Sequence, residues 1–172
     1  MNWLFRFQHM SKILIITLLF ILQQNIISQT EEIAKISVEN KLLKVKQGEQ
    51  VYVDLTLSIK SGWHINSNKP NDDFLIPSVI SAKADGIKLI NIKYPQAHEL
   101  KLSFSEEPVS VYEGIETAKL TLQAGKDIKV GKQNIIVILE YQACNDVSCM
   151  PPTETTTNFE IEVIENKEVT EA

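Results

Sequence analysis

At 172 residues, 44% hydrophobic and 23% charged, the chain has the composition of one globular domain with a core, plus accessory segments. A net charge of −5 leaves no basic footprint, so nucleic acid is excluded as an expected partner. The sequence holds two cysteines, which allow a single intramolecular bridge.

Residues 1–29 read as a secretory signal peptide. Arg6 and Lys12 precede the apolar run Ile13 to Leu22, and Ser28-Gln29-Thr30 gives a small polar exit. The run is shorter than the ~20 apolar residues of a comfortable membrane span. An uncleaved anchor is the rival, and N-terminal sequencing of the mature protein separates the two. Export matters for chemistry, because a disulfide persists outside the reducing cytosol. The mature protein is therefore expected in the periplasm.

From residue 30 onward the dominant period is two. Ile36–Val38 and Leu42–Val45 are short strand candidates. Val51, Val53, Leu55, Leu57 and Ile59 then alternate with polar residues, as a half-buried strand does. Asn66 to Pro77, rich in Asn, Asp and Pro, is a loop with or without one helical turn. Ile87–Tyr94 and Val109–Tyr112 are further strand candidates. Between them, Glu99 to Pro108 carries Leu102 and Phe104 among polar residues, which on its own reads as a strand edge with a core aromatic. Ala118, Leu120 and Leu122 alternate cleanly. Ile135 to Leu139 is continuously apolar and β-branched, as expected of a central strand covered on both faces. Phe159, Ile161 and Val163 form the last alternating run. Turn signals at Gln47-Gly48, Ser61-Gly62, Asp85-Gly86, Glu113-Gly114 and Gly125 to Gly131 separate these segments. Short strands at this spacing predict an all-β sandwich over residues 30–164, followed by a flexible acidic tail over 165–172.

Cys144 and Cys149 lie between a strong strand and the last one, so they sit at a hairpin-like turn. Four intervening residues let the chain reverse and bring the two Cα atoms within the bonding range of below ~7 Å. Closing so short a loop stabilises by only ~2 kcal/mol, against nearly 5 for a loop of about a hundred residues. Such a bond is a poor staple and a good place for reversible exchange with a partner thiolate. Pro151 and Pro152 remove two backbone donors and stiffen the exit from Cys149, although a proline pair also simply ends a turn before an edge strand. Asp146 disfavours a thiolate if it points inward; a turn former facing water is the preferred reading. Zinc held by Cys144, Cys149, His64 and His98 is a lesser alternative, because the histidines have no paired spacing. No other catalytic motif is present, and no cofactor or metal is expected.

The stretch Tyr141-Gln142-Ala143-Cys144-Asn145-Asp146…Cys149-Met150-Pro151-Pro152 resembles the active-site segment of the N-terminal domain of the bacterial thiol:disulfide interchange protein DsbD. The order of Gly62-Trp63-His64-Ile65-Asn66, Tyr94-Pro95, Phe104 and Val111-Tyr112 is similar too, so the likeness runs over residues 33–164. It implies an immunoglobulin-like antiparallel β-sandwich acting as a thiol:disulfide oxidoreductase, an electron-relay domain. The donor would be a thioredoxin-like protein or domain, reduced through a membrane thiol reductase. The acceptor would be a disulfide isomerase or a cytochrome-maturation thioredoxin-like protein. It further implies that Cys149 bonds to partners and Cys144 resolves, that Phe104 belongs to a cap over the pair, and that Trp63, His64 and Tyr141 lie close by. The cysteine spacing is one residue shorter than in the best-known members. The membrane and thioredoxin-like parts of the longer proteins do not occur in this sequence, so the donor is expected to be a separate protein. The rival reading is a non-catalytic immunoglobulin-like binding module with a structural disulfide.

Overall fold

A computed structural model describes residues 32–39, 43–72, 74–102, 105 and 107–167. The proposed signal peptide, Phe104 and the end of the tail lie outside the described residues. The strands in chain order are β1 (Ala34–Val38), β2 (Leu43–Lys46), β3 (Gln50–Ile59), β4 (His64–Asn66), β5 (Val79–Lys83), β6 (Ile87–Lys93), β7 (His98–Leu100), β8 (Val109–Glu113), β9 (Ile115–Ala124), β10 (Gly131–Tyr141), β11 (Ala143–Cys144) and β12 (Thr153–Ile164). The last strand ends at Ile164, and Glu165 to Lys167 follow it without regular structure.

The alternating runs dictate two sheets, because each must bury one face. One has the order β1-β3-β9-β6 and the other β2-β12-β10-β5. In the first, Val53, Leu55, Leu57 and Ile59 of β3 point inward beside Ala118, Leu120 and Leu122 of β9. In the second, Ile135, Val137 and Leu139 of β10 face them, with Ile161 and Val163 of β12. Tyr141 joins the two layers at one end: its hydroxyl accepts a hydrogen bond from Ala34 N–H of β1 at 3.3 Å. The result is an immunoglobulin-like β-sandwich, antiparallel in every pairing but one among the described residues. β2 runs parallel to β12, as an edge strand that arrives from the opposite sheet.

One detail differs from the sequence reading. β10 is central, flanked by β12 and β5, but its outer face is not uniformly covered. Ile138 is buried there, whereas Ile136 remains 40% exposed. Among the described residues, Asn66 to Pro77 consists of a strand end, bends and turns without a helical turn.

A third sheet, in the order β11-β4-β8-β7, positions the cysteines. β3 and β9 pair as far as Ser58 opposite Ile115, and β4 and β8 resume with His64 opposite Glu113. Residues 59–63 thus stand against Gly114 alone, a bulge that bends the ladder. Ile59 N–H donates to the Gly114 carbonyl at 2.7 Å, which fixes the bend. Gly62 takes φ +78° there, a left-handed conformation that a side chain disfavours. β11 continues β10 after Gln142, so the third sheet draws on both layers and closes one end of the sandwich.

Strand alternation gives the third sheet two distinct faces. Ile65, Tyr112 and Ala143 point into the main core. The opposite face carries Cys144, His64, Asn66, Val109, Val111 and Glu113. A second apolar cluster packs over part of it, in which Leu102, Leu100 and Leu75 contact Val109 and Val111. Leu75 from the segment 66–77, and Leu100 and Leu102 from 99–108, thus cover the Val109 and Val111 part of this face.

Candidate functional site

The cysteines face each other across a tight hairpin. Asn145 N–H donates to the Ser148 carbonyl at 3.0 Å, and Met150 N–H donates to the Ala143 carbonyl at 2.8 Å. Both bonds come from residues adjacent to the cysteines, which makes Cys144 and Cys149 a non-hydrogen-bonded antiparallel pair. That pairing brings Cα atoms closest, to about 4.5 Å in general. Here they lie 4.0 Å apart and the sulfurs are bonded. Asn145 Oδ1 accepts hydrogen bonds from Val147 N–H and Ser148 N–H, both at 2.9 Å, and so closes an Asx turn. Asp146 and Val147 form the exposed two-residue tip.

The two ends of the bond have different environments. Cys144 is fully buried at 0% exposure, whereas Cys149 is exposed. Val147, 83% exposed, and Met150, 43% exposed, flank Cys149, and Pro151 and Pro152 continue at the surface into β12. Cys149 is therefore the half of the bond nearer the surface. Cys144, held by its pairing with β4, is the sulfur that stays inside.

Register aligns a row of chemical groups on the covered face. Cys144 is opposite His64, and His64 is opposite Glu113. Directly paired residues project to the same side of a sheet. Glu113 Oε2 in turn meets His98 Nε2 at 2.9 Å. His64 is 2% exposed, and its Nε2 has no hydrogen-bond partner among the described residues. Burial lowers the His64 pKa from the ordinary 6.5; Glu113 and Asp146 pull it upward, and His98 adds to the lowering. Asn66 lies two residues along the same face. Its Nδ2 donates to the Ile76 carbonyl at 3.0 Å and to Gln142 Oε1 at 3.3 Å, while its Oδ1 lacks a partner among the described residues. Both orphaned polar atoms thus belong to the face that bears the disulfide.

The remaining sequence candidates are placed as follows. Trp63 is partly buried against the main core, and its backbone N–H donates to the Lys60 carbonyl at 3.0 Å. Tyr141 lies in the core and its hydroxyl is engaged with β1. His98 is brought toward His64 through Glu113, a proximity that the linear sequence hides. Among the described residues, no group of three or more His, Cys, Asp or Glu is placed to hold a metal ion, and the two sulfurs are bonded to each other. A groove of about 940 Å³ runs between Ile80 to Leu89 and Gln133 to Ile136, and its lining contains no cysteine or histidine. Sequence reasoning missed Glu113, Asn66 and Gln142 as neighbours of the pair. Glu113 was visible only as half of a turn signal with Gly114.

With this geometry in hand, a family model described as "Thiol:disulfide interchange protein DsbD, N-terminal" matches residues 34–161. No curated protein matches the chain. Among solved structures, the seventh ScaB type I cohesin from Pseudobacteroides cellulosolvens is 12% identical, with a TM-score of 0.45, covering 81% of this chain and 97% of that one. The reduced DsbD N-terminal domain from Neisseria meningitidis is 22% identical, with a TM-score of 0.38, covering 64% of this chain and 75% of that one. A Clostridium thermocellum cohesin, solved in complex with a dockerin, is 15% identical, with a TM-score of 0.40, covering 77% of this chain and all 100% of that one. At these scores the structural likenesses carry no functional inference.

Proposed function

The chain belongs to the family of DsbD N-terminal domains, periplasmic modules of thiol–disulfide exchange, and we propose from that premise that it relays electrons through Cys144 and Cys149. The observation that carries this reading is the asymmetry of the bond, with one cysteine exposed on a hairpin and the other fully buried. In the charging direction, a thioredoxin-like donor thiolate attacks Cys149 Sγ and Cys144 leaves as a thiolate. A second donor thiol then releases the domain in its dithiol form. In the discharging direction, Cys149 attacks the disulfide of an oxidised client, such as a disulfide isomerase or a cytochrome-maturation thioredoxin-like protein. Cys144 then attacks Cys149, and the client departs reduced. Two electrons pass in each cycle, and the exchange requires no cofactor. Residues 1–29 deliver the domain to the periplasm in this account, and a membrane thiol reductase keeps the donor reduced.

Trapping tests the relay. Cys144→Ala leaves Cys149 able to form a mixed disulfide that this domain cannot resolve. Incubated with a thioredoxin-like protein that keeps only its exposed active-site cysteine, supplied as a mixed disulfide with thionitrobenzoate, this variant is expected to accumulate a reducible covalent heterodimer, and Cys149→Ala is not. Absence of that adduct from the Cys144→Ala protein would mark the domain as a binding module with a structural disulfide.

A further inference from the structure

Resolution needs a thiolate at Cys144, yet burial of a thiol favours its neutral form. A sulfur at 0% exposure has no direct route for its proton into bulk water. The side chain opposite it in register is an imidazole, also buried, with a ring nitrogen that lacks a partner. Behind the imidazole stands a carboxylate, again directly opposite in register. A thiol, an imidazole and a carboxylate in line are the parts of a nucleophile, its base and the group that orients the base.

We propose that His64 is the proton carrier for Cys144 during thiol–disulfide exchange, and that Glu113 is the positioning residue that holds and stabilises the imidazole. This rests on the exchange reading above. In discharge, Cys144 S–H gives its proton to His64 Nε2 as its sulfur bonds to Cys149 Sγ. The bond between Cys149 and the client sulfur breaks, and the client sulfur leaves with the electron pair as a thiolate. Cys144 and Cys149 are thereby oxidised, the client is reduced, and the imidazolium passes its proton to water or to the departing thiolate. In charging, the imidazolium returns a proton to Cys144 as it leaves. The charged or titratable groups facing His64 are Glu113 from β8, Asp146 from the hairpin tip, and His98 from β7 beyond Glu113. Its burial keeps the imidazole neutral at neutral pH, the state in which it accepts a proton.

The test isolates the resolving step. Reduced protein mixed with 5,5′-dithiobis(2-nitrobenzoate) releases one thionitrobenzoate as Cys149 attacks, at a rate set by reagent concentration. A second is released as Cys144 resolves, at a rate independent of that concentration. Stopped-flow absorbance at 412 nm separates the two. His64→Gln is expected to slow the second phase about 100-fold at pH 7, as loss of a general base does, and to leave the first phase unchanged. Glu113→Gln is expected to slow it less and to shift its pH profile. Wild-type protein alone gives a second readout: the second phase should show an inflection at the pH where His64 titrates by NMR. A second phase unaffected by His64→Gln overturns the proposal. So does a wild-type profile that climbs tenfold per pH unit without inflection. Either result leaves the relay standing if the Cys144→Ala adduct forms, whereas loss of the adduct sinks the relay whatever the kinetics.

Discussion

Reduction of the Cys144–Cys149 bond should weaken the domain only slightly, because the loop it closes is short. A sequence separation of 5 encloses six residues. The chain-entropy relation then gives a loss of about 7 cal/mol/K in the unfolded chain, or about 2 kcal/mol at 25 °C. The core does not depend on the bond: Leu55, Leu120, Ile135, Leu139 and Ile161 are all fully buried between the two main sheets. Urea unfolding at pH 7, followed by circular dichroism with and without a phosphine reductant, measures the difference. The reduced form should unfold cooperatively with a midpoint lower by about 1 M, given a typical slope of 1–3 kcal/mol/M. A loss of about 5 kcal/mol, or a reduced form without a cooperative transition, would show that the bond is a structural staple. That result would refute the reasoning that frees it for exchange.

Other expectations concern the turns, the buried imidazole and the two thiols. Gly86 has φ +70°, and an added Cβ would come 2.8 Å from Ile128 Cγ1, whereas Gly114 has φ +63° with open space around it. Gly114→Ala should therefore cost about 1–2 kcal/mol of backbone strain, and Gly86→Ala clearly more; equal losses in urea unfolding would contradict this. Because burial depresses the folded-state pKa of His64, the unfolded chain binds its proton first as pH falls. Its contribution to stability is full above about 6.5 and is lost as pH drops from there toward the lowered folded value. Unfolding midpoints measured between pH 7.5 and 5 should show a fall that His64→Gln removes. In the reduced protein, iodoacetamide should modify Cys149 well before Cys144, as peptide mass mapping reports; the reverse order would contradict the burial asymmetry.

How much of this was legible beforehand depended on segment length. β3, β9 and β12 could be read because each has one face on the core over many residues, so alternation is sustained. β4, β7 and β11 span two or three residues, too few to display a period. β5 was missed because Val79 faces solvent and only Ile80 is buried among its residues. The continuous apolar run of β10 marked a central strand correctly, but it could not show that Ile136 stays at the surface. The cysteine pair was evident, since two thiols at a turn have a single way to join. The His64–Glu113 neighbourhood was not, because a long-range strand pairing and a bulge at Gly114 create it. Local sequence marks Gly114 only as a turn and contains no trace of the pairing.

The central claim is that the Cys144–Cys149 bond opens and closes reversibly, and its reduction potential measures this most directly. Purified protein equilibrated in glutathione buffers and quenched by alkylation gives the value by mass spectrometry. A potential between about −180 and −270 mV, the range of thioredoxin-like exchange proteins, is the predicted result. A potential below about −300 mV, typical of structural disulfides, would contradict it.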